Sequence, residues 1–281
     1  MKISLVLGWF LVLSLAAGCS QSNAADEKTK SSSAAETAER TKPPASSEKG
    51  IAEGEPAPGT NPSSKKNEAL TPEEVISETS LQLDTRVPFS LPATIPLDKD
   101  KHLTSLATSD AKTYEIAFYQ TSKPISINSS KLRNLGNESK IAVIKAAEYE
   151  SEEKAAEQIG YQKAEPAGNP PVDLGHGITG YTDAGAGSAF LHWNEGRWSF
   201  MSKARNETGQ DANQELGRKV VDYLEKEMLP PPDQGTVLLD GNDAGSRNHY
   251  TAWQEGNIVY EIVEADGAMT MLEVAAAFNK D

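Results

Sequence analysis

Two stretches decide the fold: FLHWNEGRWSF at 190–200 and YTAWQEGNIVYEI at 250–262. Each is an aromatic and β-branched run broken by Asn-Glu-Gly or Gln-Glu-Gly. Such runs favour strands, and Gly196 and Gly256 supply the positive φ that a tight turn demands. Both stretches therefore predict β-hairpins.

The two hairpins belong to a longer likeness. With residues 170–200 set above 230–260 without a gap, ten of 31 positions are identical. They include Pro170/Pro230, Asp173/Asp233, Gly175/Gly235, Trp193/Trp253, Glu195/Glu255 and Gly196/Gly256, and the conservative pairs Phe190/Tyr250 and Phe200/Tyr260 join them. Most are residues that set turns or fill cores, so the spacing predicts an internal duplication of about 60 residues.

Between the hairpins, DANQELGRKVVDYLEKEML repeats Leu216, Val220, Tyr223, Leu224 and Met228 at helical spacing. Asp211 with Gln214 three residues on reads as a capping box, and Pro230–Pro232 stop the helix. A comparable helix is expected over 152–162 and another over 269–278. Short strands are expected near 177–182 and 236–240. The repeat is thus helix, prolyl loop, strand, hairpin, in tandem units 152–210 and 211–281. Upstream, YEIAFYQ and KIAVIKAAEY predict two further strands, and Thr71-Pro72-Glu73-Glu74 a helix start; whether 71–151 is a third unit stays open. Strands outnumber helices and tight turns join most of them. The expected class is α+β, a largely antiparallel sheet with helices packed on one face.

Charge and composition bound the function. The formal net charge is −14. Residues 20–70 are nearly neutral, whereas 71–281 carry 33 acidic against 19 basic residues. A polyanionic domain repels nucleic acid, and no basic stripe with interleaved aromatics is present. Residues 20–70 hold almost no large apolar side chain, which predicts a disordered spacer with a root-mean-square span of about 40 Å.

The chain opens MKISLVLGWFLVLSLAAGCS, one lysine and an apolar run from Ile3 to Ala17 that suits a secretory leader. The ending Ala16-Ala17-Gly18-Cys19 resembles the lipobox of bacterial lipoproteins. That resemblance covers residues 1–19. It implies cleavage after Gly18, a diacylglyceryl group on the Cys19 sulfur, and residence at the extracytoplasmic face of a cell membrane. Cys19 is the only cysteine, so no disulfide forms within the chain. The expected plan is a leader at 1–18, an anchor and spacer at 19–70, and one domain at 71–281.

Within the domain, Glu195 and Glu255 are candidates for a symmetric acid/base pair or a cation site, against a plainer role at hairpin tips. DGNDAG at 240–245 opens like a calcium loop, but Ala244 and Thr251 stand where ligands are required, so it reads as a turn. His102, His176, His192 and His249 form no metal-binding spacing, and neither a Gly-x-Ser-x-Gly elbow nor a phosphate loop occurs. No metal or cofactor is expected. Trp193 and Trp253 are candidate ligand contacts with Glu195 and Glu255. Alternation puts Phe190 and His192 on one sheet face and Leu191 and Trp193 on the other; one face can fill the core, and the other is either covered by helices as well or forms a groove for a sugar, peptide or acyl chain. The expected function is a non-catalytic binding or assembly domain at the cell envelope. Its alternatives are a carrier or sensor of an apolar ligand held between sheet and helices, and an envelope hydrolase using Glu195 and Glu255.

Overall fold

The computed structural model describes residues 69–205, 209–242 and 245–279; the leader, Cys19 and nearly all of the spacer lie outside them. The described chain opens with α1 (Pro72–Ser80), started by the Thr71 capping box: the Thr71 hydroxyl accepts the Glu74 N–H and the Glu74 carboxylate accepts the Thr71 N–H. A meander follows, β1 (His102–Ser109), β2 (Thr113–Thr121) and β3 (Lys140–Glu148), with two short 3-10 turns between the last two. Next come α2 (Glu152–Ile159), β4 (Val172–Asp173), β5 (Thr179–Gly185), β6 (Ser188–Glu195) and β7 (Trp198–Arg205). The chain then forms α3 (Gly209–Leu224), β8 (Gly235–Asp240), β9 (Tyr250–Glu255), β10 (Ile258–Val263) and α4 (Ala268–Ala276).

The strands form one sheet in the order β1-β2-β3-β10-β9-β8-β7-β6-β5-β4. Neighbours are antiparallel except β7 and β8, which run parallel. Parallel neighbours need a long crossover, and α3 supplies it. Both expected hairpins form, β6–β7 and β9–β10, with Gly196 at φ 55° and Gly256 at φ 60° in their turns.

The expected helices form with shifted ends. Gly160 takes the left-handed conformation (φ 64°) and stops α2 at Ile159, short of the expected 162. α3 starts at Gly209, two residues before Asp211, where a β-carbon would sit 3.1 Å from the Ala204 carbonyl carbon; glycine lets the helix enter this close to β7. It ends at Leu224, leaving Met228 beyond it and exposed.

Strand alternation divides the sheet into two unlike faces. The inner face carries Ile116, Phe118, Ile144, Leu191, Trp193, Phe200, Val237, Trp253 and Tyr260, all buried. Against it pack α1 through Val75 and Ile76, α3 through Val220 and Val221, and α4 through Met271 and Leu272. The fourth helix departs from the expected one-sided arrangement. α2 lies on the outer face, where Ala155 and Ile159 cover Ala252 and Val259. Leu132, from the 3-10 segment, covers Ala117, Tyr119 and Val143 on the same face. The outer face is apolar enough to need cover, and α2 has only those two buried residues to give.

Both sheet edges are blunted. On β1, Asn128 donates its N–H to the Ser105 carbonyl and accepts the Ala107 N–H with its side-chain oxygen. On β5, the Asn169 amide donates to the Thr182 carbonyl just past the two-residue β4. Such contacts occupy backbone groups that would otherwise recruit another strand.

α3 is tied to the sheet by a buried polar contact. The Asn213 side chain accepts from the Ser202 hydroxyl (2.7 Å) and donates to the Ala189 carbonyl (3.0 Å). Asn213→Ala removes the side-chain partner of a buried hydroxyl and a hydrogen bond to a buried carbonyl, so it is expected to cost about 2–4 kcal/mol. Urea unfolding checks this, with a lower midpoint and an unchanged slope as the expected outcome.

Candidate functional site

Trp193 and Trp253 lie wholly within the core. Each stacks on an aromatic ring of its hairpin partner strand, Trp193 on Phe200 (4.9 Å between centroids) and Trp253 on Tyr260 (5.4 Å). Each donates its indole N–H to the carboxylate two residues on, Trp193 to Glu195 (2.9 Å) and Trp253 to Glu255 (3.0 Å). Trp198 and Phe278 close the cluster, the latter edge-on to Trp253. The four candidate residues thus form two separate copies of one local contact.

The structure does not bring Glu195 and Glu255 together. β6 and β9 are separated by β7 and β8, so the pair stands about 14 Å apart across the strands. An acid/base pair flanking one glycosidic bond works at roughly 5–9.5 Å. Burial raises the Glu195 carboxyl above its ordinary value, opposed by the indole hydrogen bond.

The other polar candidates are engaged locally. The Asp240 carboxylate accepts from the Asn242 backbone, the Asn242 side chain and the Ser246 hydroxyl, so one acid organises the described residues around it. Burial opposes, but these bonds hold Asp240 below the usual carboxylate range. Asp183 accepts the neighbouring Ala184 N–H, and Asp243 lies outside the described residues. Among the described residues, no group of three or more His, Cys, Asp or Glu side chains is placed to hold a metal ion.

What the register does assemble is a row of side chains on the outer face. Tyr181, His192, Met201, Leu238 and Tyr250 are direct cross-strand neighbours on β5, β6, β7, β8 and β9. The same row continues through Val263, Val143, Ala117 and Leu106 to the far edge. At that far end the 3-10 segment buries it. From Tyr181 to Tyr250 the side chains are only half-buried. His192, Met201, Leu238 and Tyr250 form the floor of a cleft of about 280 Å³, walled by Ile159 and Gly160 at the end of α2. Burial keeps the His192 imidazole below its ordinary value, with Asp183 opposing, so the row is uncharged at neutral pH.

Two other hollows lie elsewhere. A trough of about 420 Å³ on the outer face of β2, β3 and β10 has paired charges, Lys145 with Glu115 at 2.9 Å and Glu261 accepting from the Tyr250 hydroxyl. A groove of about 730 Å³ lies between α1, β1 and residues 124–127. The trough also has a cross-strand floor, Thr108, Glu115, Lys145 and Glu261, but it carries charged side chains, whereas the floor of the cleft carries none.

Sequence alternation separated the Phe190/His192 face from the Leu191/Trp193 face, and the latter is the core. Tyr181, Met201, Leu238 and Tyr250 carried no signal as a group, because the parallel β7–β8 register that aligns them is set by tertiary contacts. No protein-family model, curated protein or solved structure matches this chain.

His249 offers a test of the site's surroundings. It is buried on the inner face, where Nδ1 accepts the Asp240 N–H (3.2 Å), and burial holds the imidazole below its ordinary value against the opposing Asp240 charge and Ser246 carbonyl. The unfolded chain takes up this proton near pH 6.5 and the folded chain only at lower pH, so acid favours unfolding through this group. Glu195, with its raised value, acts in the opposite sense. His249→Asn keeps an acceptor for Asp240 and removes the titration. The drop in urea midpoint between about pH 7.5 and about pH 5.5 is therefore expected to be smaller in this variant than in the parent.

Proposed function

We propose that this chain is a bacterial lipoprotein, cleaved before Cys19 and held by acyl chains on the Cys19 sulfur at the extracytoplasmic face of the cell membrane. Residues 20–70 serve as a spacer, and 71–281 act as a non-catalytic binding or assembly domain at the cell envelope. Supporting the anchor are the apolar run from Ile3 to Ala17 and the Ala-Ala-Gly-Cys ending. Two acyl chains, at about 0.8 kcal/mol per buried methylene, give stable membrane attachment. No helix among the described residues is long and apolar enough to cross a membrane.

We further infer that units 152–210 and 211–281 descend from one duplicated segment of about 60 residues. The matched Trp-x-Glu contacts, the matched positive-φ glycines and the shared order of helix, strand and hairpin support this.

The observation that carries the binding role is the half-buried row Tyr181–Tyr250, which α2 covers only at its Tyr250 end, whereas the 3-10 segment buries the same row at its other end. An acidic surface favours a neutral or apolar occupant over an anionic polymer. Cys19→Ser tests the anchor: the protein is expected to move from the membrane to the soluble extracytoplasmic fraction, and unchanged fractionation defeats the proposal. Native mass spectrometry of the released protein tests the binding role through any small molecule that co-purifies.

A further inference from the structure

We infer that the cleft beside α2 takes a linear acyl chain, laid across the strands along the row from Tyr181 to Tyr250. This rests on the proposed binding role and names the ligand class. Three features of the row argue for it.

The first is width. The row on one side is Asn194, Ser199 and Thr236, and that on the other is Asp183, Phe190 and Lys203, with the Lys203 ammonium lying over the Phe190 ring. At Met201 and Leu238, between Ser199 and Thr236 on one side and Lys203 and Asp240 on the other, the apolar floor is therefore one residue wide, and it broadens only toward the ends, where Phe190 stacks on His192 and Ala252 lies beside Tyr250. A sugar ring or a flat protein surface needs a broader contact, whereas a single hydrocarbon chain matches it. The second is length. Five neighbouring strands give four spacings, about 19 Å, enough for an extended fatty acyl chain. The third is continuity. Toward β10 the row passes through Val263 to Val143, Ala117 and Leu106, where Leu132 lies on it as a permanent apolar cover. In the β5–β9 half, Met201 and Leu238 lack such a cover: α2 packs on the row only at its Tyr250 end, and Ile159 stands beside it as the wall of a cleft.

Met201, at the middle of the row, is a flexible thioether suited to following a chain. It is also a reporter. The mature chain carrying Cys19→Ser and labelled at the methionine methyls can be titrated with submicellar palmitate by NMR. The expected result is a saturable shift at Met201, with Met228 in an exposed loop and Met271 in the inner core unmoved. Leu238→Asp, which places a charge on the row but keeps the reporter, is expected to weaken binding at least about tenfold. Maltotetraose serves as the competing chemistry. A Met201 shift with maltotetraose and none with palmitate overturns the acyl assignment while leaving a binding face in place. Equal shifts at Met201 and Met228, or palmitate binding unaltered by Leu238→Asp, overturn the site. Silence with both probes also overturns it, whereas the anchor stands or falls separately, on the fractionation of Cys19→Ser.

Discussion

The constraint on which the rest depends is the burial of two indole rings. An indole ring contributes a large apolar area but carries one N–H that must find an acceptor when water is excluded. Glu195 and Glu255 meet this need from within their own strands, two residues from the ring they serve and on the same face. Each hairpin therefore satisfies its tryptophan from within its own strand, without a long-range partner. Stacking on Phe200 and Tyr260 then fixes which residues oppose each other across the turn, and that register propagates outward through the sheet.

Much of this was legible in the residues. Aromatic runs broken by a turn glycine gave both hairpins, and apolar spacing gave the helices to within a few positions. β1 escaped because HLTSLATS offers only Leu103 and Leu106 as large apolar side chains; its buried Thr104 and Ser105 look like loop residues in a linear reading. The tryptophans and glutamates were recognised as special, but a paired aromatic and acid looks alike whether it grips a ligand or its own neighbour. Position in the sheet decides, and both pairs face inward.

The outer-face row shows a different limit. Alternation says which residues of one strand share a face. It does not say which residues of five strands share a line, since β7 meets β8 only after α3 has crossed between them. Nor does it say how much of a face a short helix will cover. With Ala155 and Ile159 as its buried residues, α2 shields Ala252 and Val259 and stops at Gly160. The cleft exists because that helix ends where it does.

The blunted edges of the sheet have a consequence under the proposed membrane anchorage. Molecules tethered in a plane meet edge to edge far more often than molecules free in bulk, and a ten-stranded sheet with bare rims would invite neighbours to zip into ribbons. Asn128 at one rim and Asn169 at the other fill hydrogen-bonding positions that such a ribbon needs. Under the proposed anchorage, crowding at the envelope would raise the local density of this protein without converting it into a polymer.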